Sequence, residues 1–324
     1  MKKVTITCLV ATIFFLAISS LAPPANAEYP EKPIEFVIHS APGGGMDTFT
    51  RTAAHILEKS GIVNQKIRVT NRRGGGATVA INYVVDQKGD PYVLQHWTTS
   101  PLNTILRGTT KIKSWKDLTI IGTLIQDPNV AAARVESPFK DMGELIAYAK
   151  KNPEKVSASI QTIGGSEHII SHRIEKASGA KLTVTSFAKG VVALLGGHID
   201  MSFDTVAVIG PHVEAGKLKY LATMTQERIP FLPDVGTLKD FGINTSFTQY
   251  RGFWGGPGFP DYAVKYWENA FAKLMETKEW KDFMAKGSMV PTYMTQAEAV
   301  KMLGPYYEEL RQDVKELEAY KKKQ

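Results

Sequence analysis

The chain has 324 residues, of which 43% are hydrophobic and 22% charged, and 39 lysines and arginines outnumber 32 aspartates and glutamates. This ordinary globular composition excludes a disordered, collagen-like or coiled-coil protein, and the length predicts two domains. The single cysteine, Cys8, excludes a disulfide framework and a zinc site built from several thiolates of one chain.

The first 27 residues have the pattern of a secretory signal peptide. Lys2 and Lys3 precede a mostly apolar run at 4–21, and Ala25-Asn26-Ala27 forms a small-residue cleavage site. A membrane anchor is the alternative, but the run is short and Pro23-Pro24 would break its helix. We therefore expect cleavage near Ala27. Removal of two lysines and no acids lowers the formal charge from +7 to +5, and the remaining 297 residues contain no cysteine.

The first third of the mature chain alternates strands with helices. Strands are predicted at 34–39, 67–70 and 92–97, and helices at 47–59 and 77–86. This alternation favours an α/β sheet with parallel strands.

The middle of the chain repeats the same pattern. Further strands are predicted at 118–125, 130–135, 155–160, 181–186, 200–203 and 219–224, and further helices at 141–150, 166–177, 261–275, 279–286 and 296–320. Gly304-Pro305 should break or kink the last helix.

From residue 260 the chain is expected to be helical almost to its end, and these helices need a sheet to pack on. The sheet of the first domain is the simplest choice. We therefore predict two α/β domains joined by a two-crossing hinge, with residues 28–130 and 250–324 in one domain and residues 131–249 in the other.

Three glycine-rich loops each follow a predicted strand and open a helix, at 43–45, 74–76 and 164–165. Glycine lets the backbone approach a ligand, and the free N–H groups at a helix start attract anions. Each loop is a candidate site for carboxylate or phosphate, with a plain tight turn as the alternative. The first loop lacks the lysine of a P-loop, and Thr48 and Val79 stand where a dinucleotide fingerprint has its third glycine. A small anion held by backbone is therefore favoured over a nucleotide.

Several polar side chains are candidates for shaping or lining such a site. Asp47 is interpreted as an N-cap or loop organiser, because a carboxylate would repel an anionic ligand. Asn71 could organise the second loop in the same way. Thr98, Thr99 and Ser100 follow a strand at the edge where open α/β sheets bind ligands.

Other side chains favour structural interpretations. His168 and His172, four residues apart on one predicted helix, could ligate a metal, but without an apparent third ligand a polar helix face is preferred. Tyr250, Phe253 and Trp254 are more typical of a core than of a cleft. The basic residues are scattered, so no nucleic-acid partner is expected. We predict no catalytic residue, no metal and no cofactor.

The order and spacing of the motifs resemble those of the substrate-binding proteins of tripartite tricarboxylate transporters, the Bug-type family. The resembling segments are Tyr29-Pro30-Glu31-Lys32-Pro33-Ile34, Ala41-Pro42-Gly43-Gly44-Gly45-Met46-Asp47, Asn71-Arg72-Arg73-Gly74-Gly75-Gly76, Gly164-Gly165-Ser166, Leu194-Leu195-Gly196-Gly197-His198-Ile199-Asp200 and Gly216-Lys217-Leu218-Lys219-Tyr220-Leu221-Ala222. The resemblance covers nearly the whole mature chain.

The resemblance implies a periplasmic solute-binding protein with the two-lobed type II fold, which is a monomer and not an enzyme. Such a protein captures a mono-, di- or tricarboxylate and delivers it to the membrane permease subunits of a tripartite tricarboxylate-type transporter. With Ser40 and Thr98 added, the predicted ligand-binding residues are Ser40, Ala41, Gly43, Gly44, Asp47, Gly75, Gly76, Ala77, Thr98, Thr162, Gly165, Ser166 and Asp204.

The chain departs from the family pattern in two places. His39-Ser40 stands where many members have Pro-Phe, and the loop at 186–191 looks shorter than usual. Lys189 in that loop supplies a charge to the ligand or is a solvated surface residue.

Two other functions are weighed against solute transport. One is a secreted α/β hydrolase or lyase that uses His168 or Asp204, but the sequence supplies no activated nucleophile or oriented acid–base pair. The other is a protein that presents its ligand to a sensor kinase, which sequence does not separate from transport.

Overall fold

The computed structural model describes residues 29–160, 164–187 and 189–321, and it contains two β-sheets with helices packed on them. The predicted signal peptide with its cleavage site, and Thr162, lie outside the described residues. Within the described ranges, no helix has the length and apolar character of a membrane span.

The first sheet has six strands in the order β11-β4-β10-β3-β1-β2. Its strands are β1 (Ile34–Ile38), β2 (Ile67–Asn71), β3 (Val93–Trp97), β4 (Thr119–Asp127), β10 (Gln249–Gly255) and β11 (Val290–Met294). β1 pairs in parallel with β2 and β3, whereas β10 runs antiparallel to β3 and β4, and β11 antiparallel to β4. Every residue of β1 and β3 is buried, as expected of strands covered on both faces.

The second sheet has five strands in the order β7-β6-β8-β5-β9. Its strands are β5 (Asn129–Arg134), β6 (Ser157–Ile160), β7 (Thr183–Ser186), β8 (Met201–Thr205) and β9 (Leu218–Thr223). β6 is parallel to β7 and β8, and β5 is antiparallel to β8 and β9. The six-stranded sheet with the helices packed on it is called the first lobe, and the five-stranded sheet with its helices the second lobe.

The helices follow the strands along the chain. They are α1 (Gly45–Lys59), α2 (Thr78–Asp86), α3 (Thr99–Leu106), α4 (Met142–Lys151), α5 (Ser166–Ser178), α6 (Gly190–Leu195), α7 (Val206–Glu214), α8 (Asp261–Glu276), α9 (Lys278–Lys286) and α10 (Gln296–Lys321). In α1, the buried Phe49, Ala53, Ile56 and Leu57 recur at helical spacing and form its core face.

The chain crosses between the lobes twice. β4 of the first sheet leads through Pro128 into β5 of the second sheet, and the segment after β9 returns to β10. β10 lies between β4 and β3, in the interior of the first sheet. The two-lobed α/β fold predicted from the sequence is confirmed.

The C-terminal helix α10 connects the two lobes. It packs on β4 of the first lobe and on α5 of the second. One hydrophobic cluster contains Trp97 of β3, Leu303 and Leu310 of α10, and Phe203 of β8. The two lobes therefore share part of one hydrophobic core.

The C-terminal region differs from the sequence prediction in two respects. It is not helical throughout, because β11 separates α9 from α10 and adds an edge strand beside β4. α10 also continues through Gly304-Pro305 without a break. The buried Leu303, Tyr306 and Tyr307 hold this part of the helix in the core, which offsets the lost backbone hydrogen bond of the proline.

Three short helices were not predicted from the sequence. α3 contains Pro101, but as its third residue, in the first turn, where the missing N–H has no helical partner to lose. α6 has only six residues, too few to show a helical period, and α7 contains Pro211.

Candidate functional site

The first loop, residues 40–45, is organised by Asp47. The Oδ2 atom of Asp47 accepts a hydrogen bond from the Gly43 N–H at 2.9 Å, and both of its oxygens lie 3.0 Å from Arg51 Nε. Burial alone would raise the pKa of Asp47, but the hydrogen bonds from Arg51, Gly43 and Asn71 outweigh it and hold the pKa below its usual value. Asp47 is the third residue of α1, whose N-cap is Gly44. Of the two predicted roles, it therefore has that of loop organiser.

Asn71, at the end of β2, completes this network. Its Nδ2 atom donates to Asp47 Oδ1 at 2.9 Å and to the Ser40 carbonyl at 3.1 Å. Its Oδ1 atom accepts from Arg51 Nη2 at 3.0 Å. The prediction that Asn71 organises the second loop is wrong: β1 and β2 are adjacent parallel strands, so the end of β2 lies beside the first loop.

The second loop, residues 74–77, has positive φ at four consecutive positions. The angles are 134° at Gly74, 57° at Gly75, 63° at Gly76 and 98° at Ala77. Glycine adopts such angles without a steric penalty, whereas Ala77 is held there at a cost. Thr104 of α3 fixes the loop by donating from Oγ1 to the Gly76 carbonyl.

The third loop, residues 164–166, faces the second loop across α3. Asn103 of α3 donates from Nδ2 to the Gly164 carbonyl at 3.3 Å. A Cβ placed on Gly76 would lie 2.9 Å from Nη2 of Arg107. A Cβ placed on Gly164 would lie 3.9 Å from Cδ of the same side chain. The Gly164 N–H donates to His168 Nδ1 at 2.9 Å. Side chains of α3 thus contact loops from both lobes.

The second lobe presents a helix start and a carboxyl group. Gly165 is the N-cap of α5 and Ser166 its first residue, so the first N–H groups of this helix are open to hydrogen-bond acceptors outside it. Asp204, on β8, accepts at Oδ1 from the Thr205 N–H at 2.8 Å.

The carboxyl group of Asp204 is held partly protonated at neutral pH. Burial raises the pKa of Asp204 to about 7 against the lowering effect of the Thr205 N–H, with the negative charges of Glu167 and Asp127 adding to the rise and Arg251 opposing it. A protonated carboxyl can donate a hydrogen bond to an anion instead of repelling it.

Sequence reasoning did not select Arg251, which lies on β10 where the chain re-enters the first lobe. Its Nε donates to Asp127 Oδ2 at 2.9 Å, and its Nη2 also contacts that oxygen. A Cβ placed on Gly45 would lie 3.9 Å from Nη2. The available signal was a charged residue within the aromatic strand that contains the buried Phe253 and Trp254.

Other predicted site residues have structural roles. Thr98 is the N-cap of α3, and its hydroxyl accepts from the Ser100 N–H at 3.4 Å. The hydroxyl of Thr99 lies 2.6 Å from that of Tyr306 in the core, so it is not available to a ligand near the loops. Lys189 is an exposed residue and the N-cap of α6.

The histidines have separate partners. His172 Nε2 lies 2.9 Å from Glu316 Oε2 on α10, whereas His168 contacts the third loop. In the part of the chain that the structure describes, no three His, Cys, Asp or Glu side chains form a group able to hold a metal ion. Burial lowers the pKa of His39, beside the first loop, to about 4, so this side chain is neutral at pH 7.

Two lobes joined by two crossings, with glycine-rich loops facing each other, define a two-lobed solute-binding protein. Residues 50–316 match the sequence model of the TctC family, described as "Tripartite tricarboxylate transporter family receptor". The chain belongs to this family, as its Bug-type motifs predicted. Receptors of this family are periplasmic and are not enzymes.

Two relatives illustrate the sequence similarity. The chain is 32% identical over 287 residues to the "UPF0065 protein in gbd 5'region" of Cupriavidus necator, covering 86% of each chain. It is 27% identical over 267 residues to "Protein BugT" of Bordetella pertussis, covering 80% of this chain and 79% of that one.

Solved structures share the fold. A TctC solute-binding protein from Polaromonas matches with a TM-score of 0.76 and 26% identity, covering 89% of this chain and 100% of that one. MatC from Rhodopseudomonas palustris with bound malate matches with a TM-score of 0.74 and 21% identity, over 89% and 99% of the two chains. An R. palustris protein with adipate matches with a TM-score of 0.77 and 18% identity, over 89% and 98%.

Proposed function

We propose that this receptor captures a small organic mono-, di- or tricarboxylate between its lobes and delivers it to the permease subunits of a tripartite tricarboxylate-type transporter. The observation that carries the proposal is that α3 contacts glycine-rich loops from both lobes, at Gly76 and Gly164. A ligand between these loops would contact both lobes at once.

The chemistry of the loops suits a carboxylate. Backbone N–H groups and helix starts bind anions without a phosphate motif, and charge-assisted hydrogen bonds contribute about 1.5–3 kcal/mol each. The proposed ligand contacts are those predicted from the sequence: Ser40, Ala41, Gly43, Gly44, Asp47, Gly75, Gly76, Ala77, Thr98, Thr162, Gly165, Ser166 and Asp204. Malate and adipate in two structural neighbours support this ligand class.

The remaining parts of the proposal concern the whole receptor. It acts as a monomer after cleavage of a signal peptide near Ala27. Its domains are residues 28–130 with 250–324, and residues 131–249. The positions of β4, β5 and β10 support these ranges, because β4 and β10 belong to the first sheet and β5 to the second.

A thermal-shift panel of dicarboxylates, citrate, amino acids and aromatic acids tests this function. A ligand that binds only the folded protein raises its melting temperature in proportion to ln(1 + [L]/Kd). We expect at least one carboxylate to raise the melting temperature in a dose-dependent manner, and the corresponding amide to raise it less. If no acid in the panel raised it, the proposal would be overturned.

A further inference from the structure

We propose that Arg251 contacts the ligand directly and selects for a carboxylate at the end of the ligand that lies against the first loop. This inference rests on the proposed function, because it adds a charged residue to the same cleft. None of the glycine-rich motifs includes Arg251.

Arg251 is a buried cation, and its partner Asp127 accepts hydrogen bonds from only part of its guanidinium. The residue is 8% exposed, and Asp127, which it contacts, is 1% exposed. Two of its three guanidinium nitrogens, Nε and Nη2, point to the same oxygen, Asp127 Oδ2. A buried guanidinium needs acceptors for its remaining N–H groups, because all five are donors.

The third nitrogen, Nη1, is buried and finds no hydrogen-bond acceptor among the described residues. The hydroxyl of Ser40, in the first loop, is in the same situation. Two buried hydrogen-bonding groups thus remain unsatisfied, one in the first loop and one on a side chain beside it. A ligand carboxylate that reaches Nη1 would accept a charge-assisted hydrogen bond from it.

The guanidinium lies at the boundary between the lobes. On one side Nη2 is close to Gly45 at the start of α1. On the other side, the charge of Arg251 is felt by Asp204 of the second lobe, whose pKa it lowers. A ligand held by the first loop and by the second lobe would therefore pass close to this side chain.

His96, the neighbouring titratable group, adds no positive charge here. The Thr50 hydroxyl lies 2.9 Å from the Met46 carbonyl and 2.6 Å from His96 Nδ1. Burial, reinforced by the charges of Arg251 and His39, lowers the pKa of His96 well below its usual value. The ring is therefore neutral at pH 7, so the charge offered to an anion comes from Arg251.

This arrangement distinguishes a carboxylate from its amide. A carboxylate oxygen accepts from Nη1 and from the loop N–H groups at the same time. An amide offers a weaker acceptor, and its NH₂ group would face donors and leave them unsatisfied. Asp127 offsets part of the positive charge of Arg251, so the selection depends mainly on the directed N–H group.

Calorimetric titration of adipate, malate and their diamides tests the inference in wild type and Arg251→Lys. Lysine keeps a charge for Asp127 but lacks the forked guanidinium. We expect the Kd of the acid that binds wild type to rise about 10- to 100-fold, and the ratio of acid to diamide affinity to fall by a similar factor.

Two further variants keep the test decisive. If Arg251→Lys does not fold, the neutral double variant Asp127→Asn with Arg251→Met replaces it, because it leaves no unpaired buried charge. Arg173→Lys is the matched control: it alters another buried, ion-paired arginine, which contacts Asp313 of α10 and not the loops. We expect it to leave the Kd unchanged.

The outcomes separate this inference from the proposed function. Wild-type affinity in Arg251→Lys or in the double variant would overturn the role of Arg251, which would then be satisfied by His96 or by water, while carboxylate binding would stand. If neither these acids nor any acid of the thermal-shift panel bound wild type, both proposals would be overturned.

Discussion

Gly44 tolerates an added side chain better than Gly75 does, although both are proposed ligand contacts. Gly44 has φ −78°, and a Cβ there would lie 3.4 Å from the Ala41 carbonyl, an ordinary contact. Gly75 has φ +57°, and its Cβ would come within 2.8 Å of Thr78. Substitution at Gly44 therefore tests access to the loop with little local strain.

We expect Gly44→Val to weaken carboxylate binding at least about 10-fold, because the side chain keeps the ligand from the backbone N–H groups. The melting temperature without ligand should stay close to that of wild type. Calorimetry and thermal unfolding of both proteins measure the two effects. Unchanged affinity would remove the first loop from the site.

Asp204→Asn should change how stability depends on pH. The folded-state pKa of Asp204, about 7, lies above its ordinary value of 3.8, so the folded protein keeps a proton that the unfolded chain releases. Stability from this group is therefore full below pH 4 and falls as the pH rises towards 7. Asparagine does not titrate, and its Oδ1 can still accept from the Thr205 N–H.

Urea unfolding of wild type and Asp204→Asn at pH 5 and pH 8 measures this difference. The variant should gain stability relative to wild type as the pH rises. Other titrating groups also change the stability with pH, such as His39, whose pKa is lowered to about 4. Their contribution is the same in both proteins and cancels when the two are compared at each pH. Parallel pH profiles would show that Asp204 does not titrate as described.

The roles of these residues could be predicted from the sequence only where the partner lies near in the chain. Asp47 was recognised as a loop organiser because its main contact, Gly43, is four residues away. Asn71 was assigned to the wrong loop, because the pairing of β1 with β2 places it beside Ser40, 31 residues earlier. Arg251 was missed because Asp127 lies 124 residues away.

At the scale of elements, α10 carries a glycine directly before a proline. Beyond its chain neighbours and the backbone of its own helix, a Cβ on Gly304 would meet no heavy atom within 4 Å. Alanine loses less backbone entropy in a helix, which contributes about 1 kcal/mol, but its Cβ would meet the ring of Pro305. We therefore expect Gly304→Ala to raise the free energy of unfolding by less than about 1 kcal/mol, as measured by urea denaturation. A gain of the full amount would show that Pro305 does not crowd this position.

The contact between α5 and α10 depends on a buried ion pair. Arg173 Nη2 lies 2.7 Å from Asp313 Oδ2, and the two side chains are 14% and 11% exposed. Asp313→Ala should lower the free energy of unfolding by about 3 kcal/mol, because it leaves a buried guanidinium short of its counter-charge.

The matched control for this pair is Glu308→Ala on the same helix. Glu308 and its partner Arg311 are 58% and 66% exposed, so its loss should cost less than about 1 kcal/mol. Chemical denaturation of both variants measures the contrast. Equal effects would show that Arg173 finds sufficient acceptors elsewhere, such as the Ser246 carbonyl at 2.8 Å.

Most long elements could be predicted because their hydrophobic period is visible along the chain. β11 could not, since none of its five residues is fully buried and it contains Pro291. Such a strand forms because β4 offers an unpaired edge, and that edge exists only in the assembled sheet.

For the whole molecule, we expect a bound carboxylate to draw the lobes together. The two crossings act as a hinge, and a ligand that contacts both lobes stabilises the closed arrangement more than the open one. Small-angle X-ray scattering should show a smaller radius of gyration at saturating ligand. At a ligand concentration near the wild-type Kd, Gly44→Val should show a smaller change than wild type, and a wild-type radius that stays constant at saturation would argue against closure.

Sequence predicted the two lobes because the C-terminal helices needed a sheet, and the first sheet was the simplest choice. It did not predict a strand at β10, nor that this strand enters the interior of that sheet, between β4 and β3. The position of a strand within a sheet depends on pairings far apart in the chain, which hydrophobic period does not encode.

The interior position of β10 has a consequence for biosynthesis. The first sheet cannot join β3 to β4 until the whole second lobe and residues 249–255 have left the ribosome. An elongating chain therefore stays without its first lobe for most of its synthesis, and such long-range pairing also makes folding slow. A strand made late in synthesis thus determines when the first part of the chain can complete its fold.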